Sequence, residues 1–93
     1  MEWKIYEHHD IEKHIRNKRI PKEIVKKYTI WKTIVTMNGP YALRKFPGLN
    51  DEALRGDRKG QRSSRLNIQY RVVYKIIDNE IVVKVIEITP HKY

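Results

Sequence analysis

Tyr70-Arg71-Val72-Val73-Tyr74-Lys75-Ile76-Ile77, then Asp78-Asn79, then Glu80-Ile81-Val82-Val83-Lys84-Val85-Ile86-Glu87-Ile88 is the stretch that decides the fold. Both arms are dense in β-branched and aromatic residues, which suit a pleated, half-buried surface. The polar pair Asp78-Asn79 between them reads as the turn of an antiparallel hairpin. Just upstream, Arg62 to Asn67 alternates with the period of a strand, so a third strand joins the meander. Further back the pattern changes to that of a helix. Ile24, Tyr28, Trp31 and Val35, joined by Val25 and Ile34, keep a 3.6-residue period. Pro21 suits a first helical position, Glu23 a first turn, and Asn38-Gly39-Pro40 a sharp end, which predicts a helix from Pro21 to about Met37. Glu7 to Asn17, with Ile11 and Ile15 one turn apart, reads as a thinner amphipathic helix, and Trp3 to Tyr6 as a short first strand. The expected fold class is α+β: two N-terminal helices packed on a small, mainly antiparallel sheet, in the order β-α-α-β-β-β, as a single domain over residues 1–93.

One face of such a sheet must bury itself against the helices. Arg65 and Arg71 share a parity, although the turn between their strands can reset it. Lys84 and Glu87 on the last strand have opposite parities and define no face. Between the helices and the meander, Gly39 to Gly60 holds four glycines and two prolines, the composition of a long, packed, functional loop. A helical turn is possible around Asp51 to Leu54, where Glu52 could pair with Arg55.

Charge narrows the function. Twenty Lys and Arg stand against eleven Asp and Glu, a formal +9 on 93 residues, a field suited to RNA, DNA or an acidic protein. The excess is concentrated, because Arg55, Arg58, Lys59, Arg62, Arg65 and Arg71 have only Asp57 among them. The chain has no cysteine, which excludes a disulfide framework and a thiolate metal site and fits a reducing cytoplasm. Apolar runs of a few residues predict neither a membrane span nor a secretory leader.

Cutting RNA without a metal requires a base for the 2′-hydroxyl, cations at the phosphorus and an acid for the leaving 5′-oxygen. Glu52 could be the base, while Lys59, Arg62, Arg65 and Arg71 can supply fixed charge and His91 can carry a proton near neutrality. Tyr41, Tyr70 and Tyr93 offer faces for stacking an unpaired base. Against this, basic runs are commonly solvated faces, and Tyr28, Tyr70 and Tyr74 suit core or sheet packing. His8, His9 and His14 suggest a metal site only weakly, since adjacent residues point apart on a helix and His9 with Asp10 lacks a third ligand, so no metal and no cofactor are expected. Gly56 and Gly60 do not make a nucleotide-binding fingerprint.

The joint pattern Leu54-Arg55-Gly56-Asp57-Arg58-Lys59-Gly60, Ser63-Ser64-Arg65-Leu66-Asn67, Tyr70-Arg71-Val72-Val73-Tyr74 and Thr89-Pro90-His91-Lys92-Tyr93 resembles the RelE/ParE toxin superfamily, with the HigB and YoeB branches most similar. The resemblance runs residue by residue through the C-terminal half and only in element order through the front half. It implies a cytoplasmic bacterial toxin that cleaves messenger RNA in the ribosomal A site and is neutralised by a cognate antitoxin. By the same resemblance Glu52, Arg65 and His91 are catalytic and Lys59, Arg62 and Arg71 meet phosphate, Lys59 and Arg71 assisting the chemistry; the basic run adds Arg55 and Arg58, and the terminal motif Lys92 and Tyr93, as RNA contacts. The YoeB-like pattern has tyrosine directly after the histidine, where this chain has Lys92, with Tyr93 one place later. Two other readings stand beside cleavage. A ParE-like toxin shares the fold and inhibits DNA gyrase, and a basic RNA-binding domain explains the charge without the terminal motif.

Overall fold

The computed structural model describes residues 2–90. Strand β1 (Lys4–Glu7) is followed by helices α1 (His9–Arg16) and α2 (Lys22–Asn38), two 3-10 turns (Pro40–Lys45 and Pro47–Leu49), and strand β2 (Glu52–Ala53). A third 3-10 turn (Gly56–Arg58) leads to β3 (Arg62–Arg65), β4 (Arg71–Ile77) and β5 (Val82–Thr89). The strands form one sheet in the order β1-β5-β4-β3-β2. The β2–β3, β3–β4 and β4–β5 pairs are antiparallel, whereas β1 lies parallel to β5.

Helix α2 covers one face of the sheet. Ile24, Tyr28, Trp31 and Val35, the stripe that its period predicts, are fully buried. They pack into one cluster with Leu66, Val72, Tyr74, Val83, Val85 and Ile88 from the sheet and Ile11 from α1. The helix stops at Gly39, whose φ of +84° is open to glycine and strained for any other residue. A Cβ there would also meet Trp3 Nε1 at 2.9 Å.

The sheet differs from expectation in four places. The segment around Asp51 to Leu54 is a two-residue strand and not a helical turn, because Asp51 is bonded to β3 and β4 and pins the chain along the sheet edge. The β4–β5 connection is a 3-10 turn, Asp78–Glu80, closed by Ile81 at φ +56°. Asn79 is followed by Glu80, so the glycine that a tight two-residue turn wants is lacking. Strand β3 stops at Arg65, since Asn67 folds back to accept from the backbone N–H groups of Gln69 and Tyr70. Finally, a bulge opposite Val73 and Tyr74 leaves Ile86 unpaired. Val85 before it and Ile88 after it therefore face the same core despite opposite parities. That is why β5 shows no clean alternation.

Candidate nucleic-acid interface

Register fixes which side chains share the open face of the sheet. Arg65 on β3 stands directly opposite Arg71 on β4, and Arg71 directly opposite Thr89 on β5. The neighbouring row, two residues along, is Glu52, Ser63, Val73 and Glu87. Glu52 and Arg65 are thus diagonal cross-strand neighbours, about 7 to 8 Å apart at the backbone. Glu52, Arg65 and Arg71 share one face. Two arginines directly opposite each other repel, and among the described residues no carboxylate pairs with either. The Arg71 residue is 9% exposed, and the buried Nε of Arg65 has no hydrogen-bond partner among the described residues. Such a pair is suited to holding an anion.

The loop between β2 and β3 reaches over this face. Arg58 Nη2 makes a 2.6 Å ion pair with Glu87 Oε1 on β5, and Arg58 Nη1 donates to Gln61. The loop is thereby drawn across the Ser63–Val73 row, both of which are fully buried although outside the main core cluster. Arg55 and Lys59 remain exposed at either end of its 3-10 turn. Glu52, Leu54, Arg55, Asp57 and Arg58 line an open cleft of about 720 Å³ beside them.

Arg62 is placed differently from Arg65. It pairs opposite Tyr74, on the helix side of the sheet, and donates through Nε (2.9 Å) and Nη2 (2.7 Å) to Asp51 Oδ1. The Asp51 side chain is wholly buried. Its Oδ2 also accepts from the Ser64 hydroxyl at 2.6 Å and from Tyr74, while Ser64 Oγ accepts from Trp31 Nε1 at 2.9 Å. Burial works against the Arg62 charge, yet hydrogen bonding and attraction from Asp51 outweigh it and raise the guanidinium's pKa. Burial first, and then the Asp51 bond, raise the Tyr74 hydroxyl. Asp51 is the residue that sequence reasoning missed. An aspartate in a Gly/Pro-rich loop looks like a turn former, and only the fold shows the donors that converge on it.

The other expected residues scatter. Tyr41 donates its hydroxyl to Asp78 at 2.7 Å, beside the β4–β5 turn. Tyr28 is buried and bonded to Glu7, and Tyr70 is partly buried against the core. His91, Lys92 and Tyr93 lie outside the described residues. One correction concerns the histidines. His8 sits at the cap of α1 with extended backbone, outside the helix, so its ring does not point away from that of His9 but stacks on it at 4.2 Å. Asp10 lies 3.6 Å from His8 and 3.4 Å from His9, and together they make one group with metal-binding atom types. The group lies at the positive end of the helix, where a cation is disfavoured, and His8 Nδ1 is taken up in accepting the Asp10 N–H.

Neither a protein-family model nor a curated protein matches the chain. Solved structures do. The Pyrococcus horikoshii archaeal RelE–RelB complex is 22% identical, with a TM-score of 0.74 over 97% of this chain and 96% of the other. The heterotetrameric YoeB–YefM toxin-antitoxin complex of Staphylococcus aureus is 23% identical, with a TM-score of 0.69 over all of both chains. The E. coli DinJ–YafQ toxin-antitoxin complex is 17% identical, with a TM-score of 0.70 over 96% and 92%. Across nearly its whole length, then, the chain shares the fold of these RelE, YoeB and YafQ structures.

Proposed function

We propose that the protein is the toxin of a toxin-antitoxin pair and a metal-independent endoribonuclease that cuts messenger RNA on the ribosome. The observation that carries this reading is the Arg65–Arg71 pair, directly opposite each other and, among the described residues, without a carboxylate partner, with Glu52 diagonal to it on the same open face. A phosphodiester would relieve the repulsion between the two guanidiniums, and both would stabilise the charge that grows at phosphorus. Glu52 would take the proton from the 2′-hydroxyl. The 2′-oxygen then bonds to phosphorus and the bond to the 5′-oxygen breaks, leaving a 2′,3′-cyclic phosphate and a free 5′-hydroxyl. Protonation of that 5′-oxygen falls to His91, two residues beyond Thr89, the neighbour of Arg71 across the strands. The +9 charge and the exposed Arg55 and Lys59 support contact with a polyanion. A domain this small has little surface for orienting RNA, so the ribosome would do the positioning. The likeness to RelE, YoeB and YafQ complexes supports an antitoxin partner.

The test is induced expression with and without a translation inhibitor, mapping new 5′ ends across the messages. New ends confined to translated messages are expected. Intact messages with arrested gyrase would establish the ParE-like alternative, and equal cutting of naked RNA would remove the ribosome from the mechanism.

A further inference from the structure

Among the described residues, two arginine–carboxylate pairs brace the sheet, and they differ in burial. The side chains of Arg62 and Asp51 are 18% and 0% exposed, a pair built into the fold. Those of Arg58 and Glu87 are 30% and 32% exposed, and an ion pair so open to water holds its partners weakly. Arg58 also stands in a turn with a soft hinge at each end. Gly56 and Gly60 have φ of +64° and +94°, and a Cβ added at either would meet nothing within 4 Å. Between them Lys59 N–H donates to Gly56 O at 3.1 Å, so the turn is tied to itself and can move as one piece. Beneath it lie Ser63 and Val73, both fully buried. The Ser63 hydroxyl has no hydrogen-bond partner among the described residues, which weighs against the closed position.

Glu87 is placed where an exchange of partners has consequences. It lies two residues before Thr89, about 7 Å along β5 from the row of Arg65, Arg71 and Thr89. A strand of RNA with one phosphate on that row carries the next across a similar span. We propose that Arg58 is a phosphate-binding group held in check by Glu87. The ion pair keeps the Gly56–Gly60 turn closed over the open face, and the phosphate next to the scissile one opens it by taking the guanidinium from the carboxylate. The proposal rests on reading the open face as an RNA site, and it adds a gate to that site. A lone anion on Arg65 and Arg71 leaves the gate shut, whereas a strand with neighbouring phosphates opens it. The face thereby distinguishes a polynucleotide from free phosphate.

The experiment uses the full chain with Arg58→Ala, Glu87→Gln and the double variant, and two probes. One is a short single-stranded RNA 2′-O-methylated throughout, which lacks the attacking hydroxyl, and the other is inorganic phosphate. Closure is read from how strongly a soluble paramagnetic agent broadens the Val73 methyl signals, and exchange from the NMR signal of the Arg58 guanidinium. Glu87→Gln should uncover Val73 and tighten RNA binding about two- to fivefold, the range that a partly exposed pair can withhold. In the Arg58→Ala background the same substitution should do neither. RNA should shift the Arg58 signal, and inorganic phosphate should not. Equal tightening in both backgrounds would overturn the proposal, since Glu87 would then merely repel the strand. So would weaker binding by Glu87→Gln, Val73 signals that no variant uncovers, RNA that leaves the Arg58 signal in place, or inorganic phosphate that moves it. Messenger left uncut on ribosomes while RNA moves the Arg58 signal would sink the nuclease reading and leave the gate standing.

Discussion

Asp51 Oδ1 lies 2.7 Å from Arg62 Nη2, with the carboxylate completely buried and the guanidinium only 18% exposed. This pair ties the loop before β2 to the middle of the sheet. Removing the carboxylate leaves the donors of Arg62, Ser64 and Tyr74 aimed at an empty site. Asp51→Ala should cost about 3 to 5 kcal/mol, the scale for breaking a buried pair by removing one partner. Asp51→Asn should cost less, because its oxygen still accepts. Urea titration of both variants is the check, and a loss below about 1 kcal/mol for Asp51→Ala would show that water replaces the carboxylate.

Arg62 and Arg65 should separate under mutation, because register sends them to opposite faces of the sheet. Arg62→Ala should unfold more easily. Arg65→Ala should fold normally and lose about 10²- to 10³-fold in the single-turnover cleavage rate on saturated ribosomes. Glu52→Gln and His91→Ala should each lose about 10²- to 10⁴-fold, with ribosome affinity retained. Normal rates for Arg65→Ala and His91→Ala together would end the proposed mechanism. A normal rate for Glu52→Gln alone would move the base role to Lys59.

Arg55 and Lys59 flank the loop that crosses the open face, both exposed. Replacing both with Ala should leave the melting temperature within a few degrees. It should also flatten the dependence of ribosome association on salt, by about one unit of log–log slope for each phosphate no longer neutralised. An unchanged slope would mark them as solvated side chains.

Alkaline pH should unfold the protein through its buried tyrosines. Burial raises Tyr28 and Tyr74 above the ordinary tyrosine value of 10.0, Glu7 adding to the first and Asp51 to the second. Their contribution to stability is fully present below pH 10.0, where the unfolded chain holds the same protons. Above it, the unfolded state ionises while the folded state does not, and stability falls as pH climbs toward the folded values. Tyrosinate absorbance should show a late step that coincides with loss of helix by circular dichroism. Tyr28→Phe should shrink that step, and an unchanged step would mean that Tyr28 ionises without unfolding.

How far the sequence foretold this arrangement depends on whether a signal was local. The α2 stripe from Ile24 to Val35 and the stop at Gly39 were legible, since helix periodicity and a glycine cap are written in neighbouring residues. The β3–β4–β5 meander was legible for the same reason. Which faces the sheet's arginines take was not. Arg65 and Arg71 share a parity, but the Asn67 turn had to preserve it, and the Ile86 bulge reverses parity within β5. The strand at Glu52 was hidden because two residues carry no period, and Asp51 holds them in place through partners 11 to 23 positions away.

Strand β5 lies between β1 and β4, joining Lys4 to Val82 across almost the whole chain. It also brings Val83, Val85 and Ile88 to the core. Until β5 leaves the ribosome that makes it, β1 has no strand to pair with and β4 is a bare edge. The Arg71 row meanwhile lacks Thr89. Such distant pairing closes late and slowly, so the nascent chain should be inert and protease-sensitive through most of its synthesis. Chains stalled before Val82 should be cleaved readily under conditions that spare the released protein. The sheet would then close only once β5 has emerged and can pair with both of its neighbours.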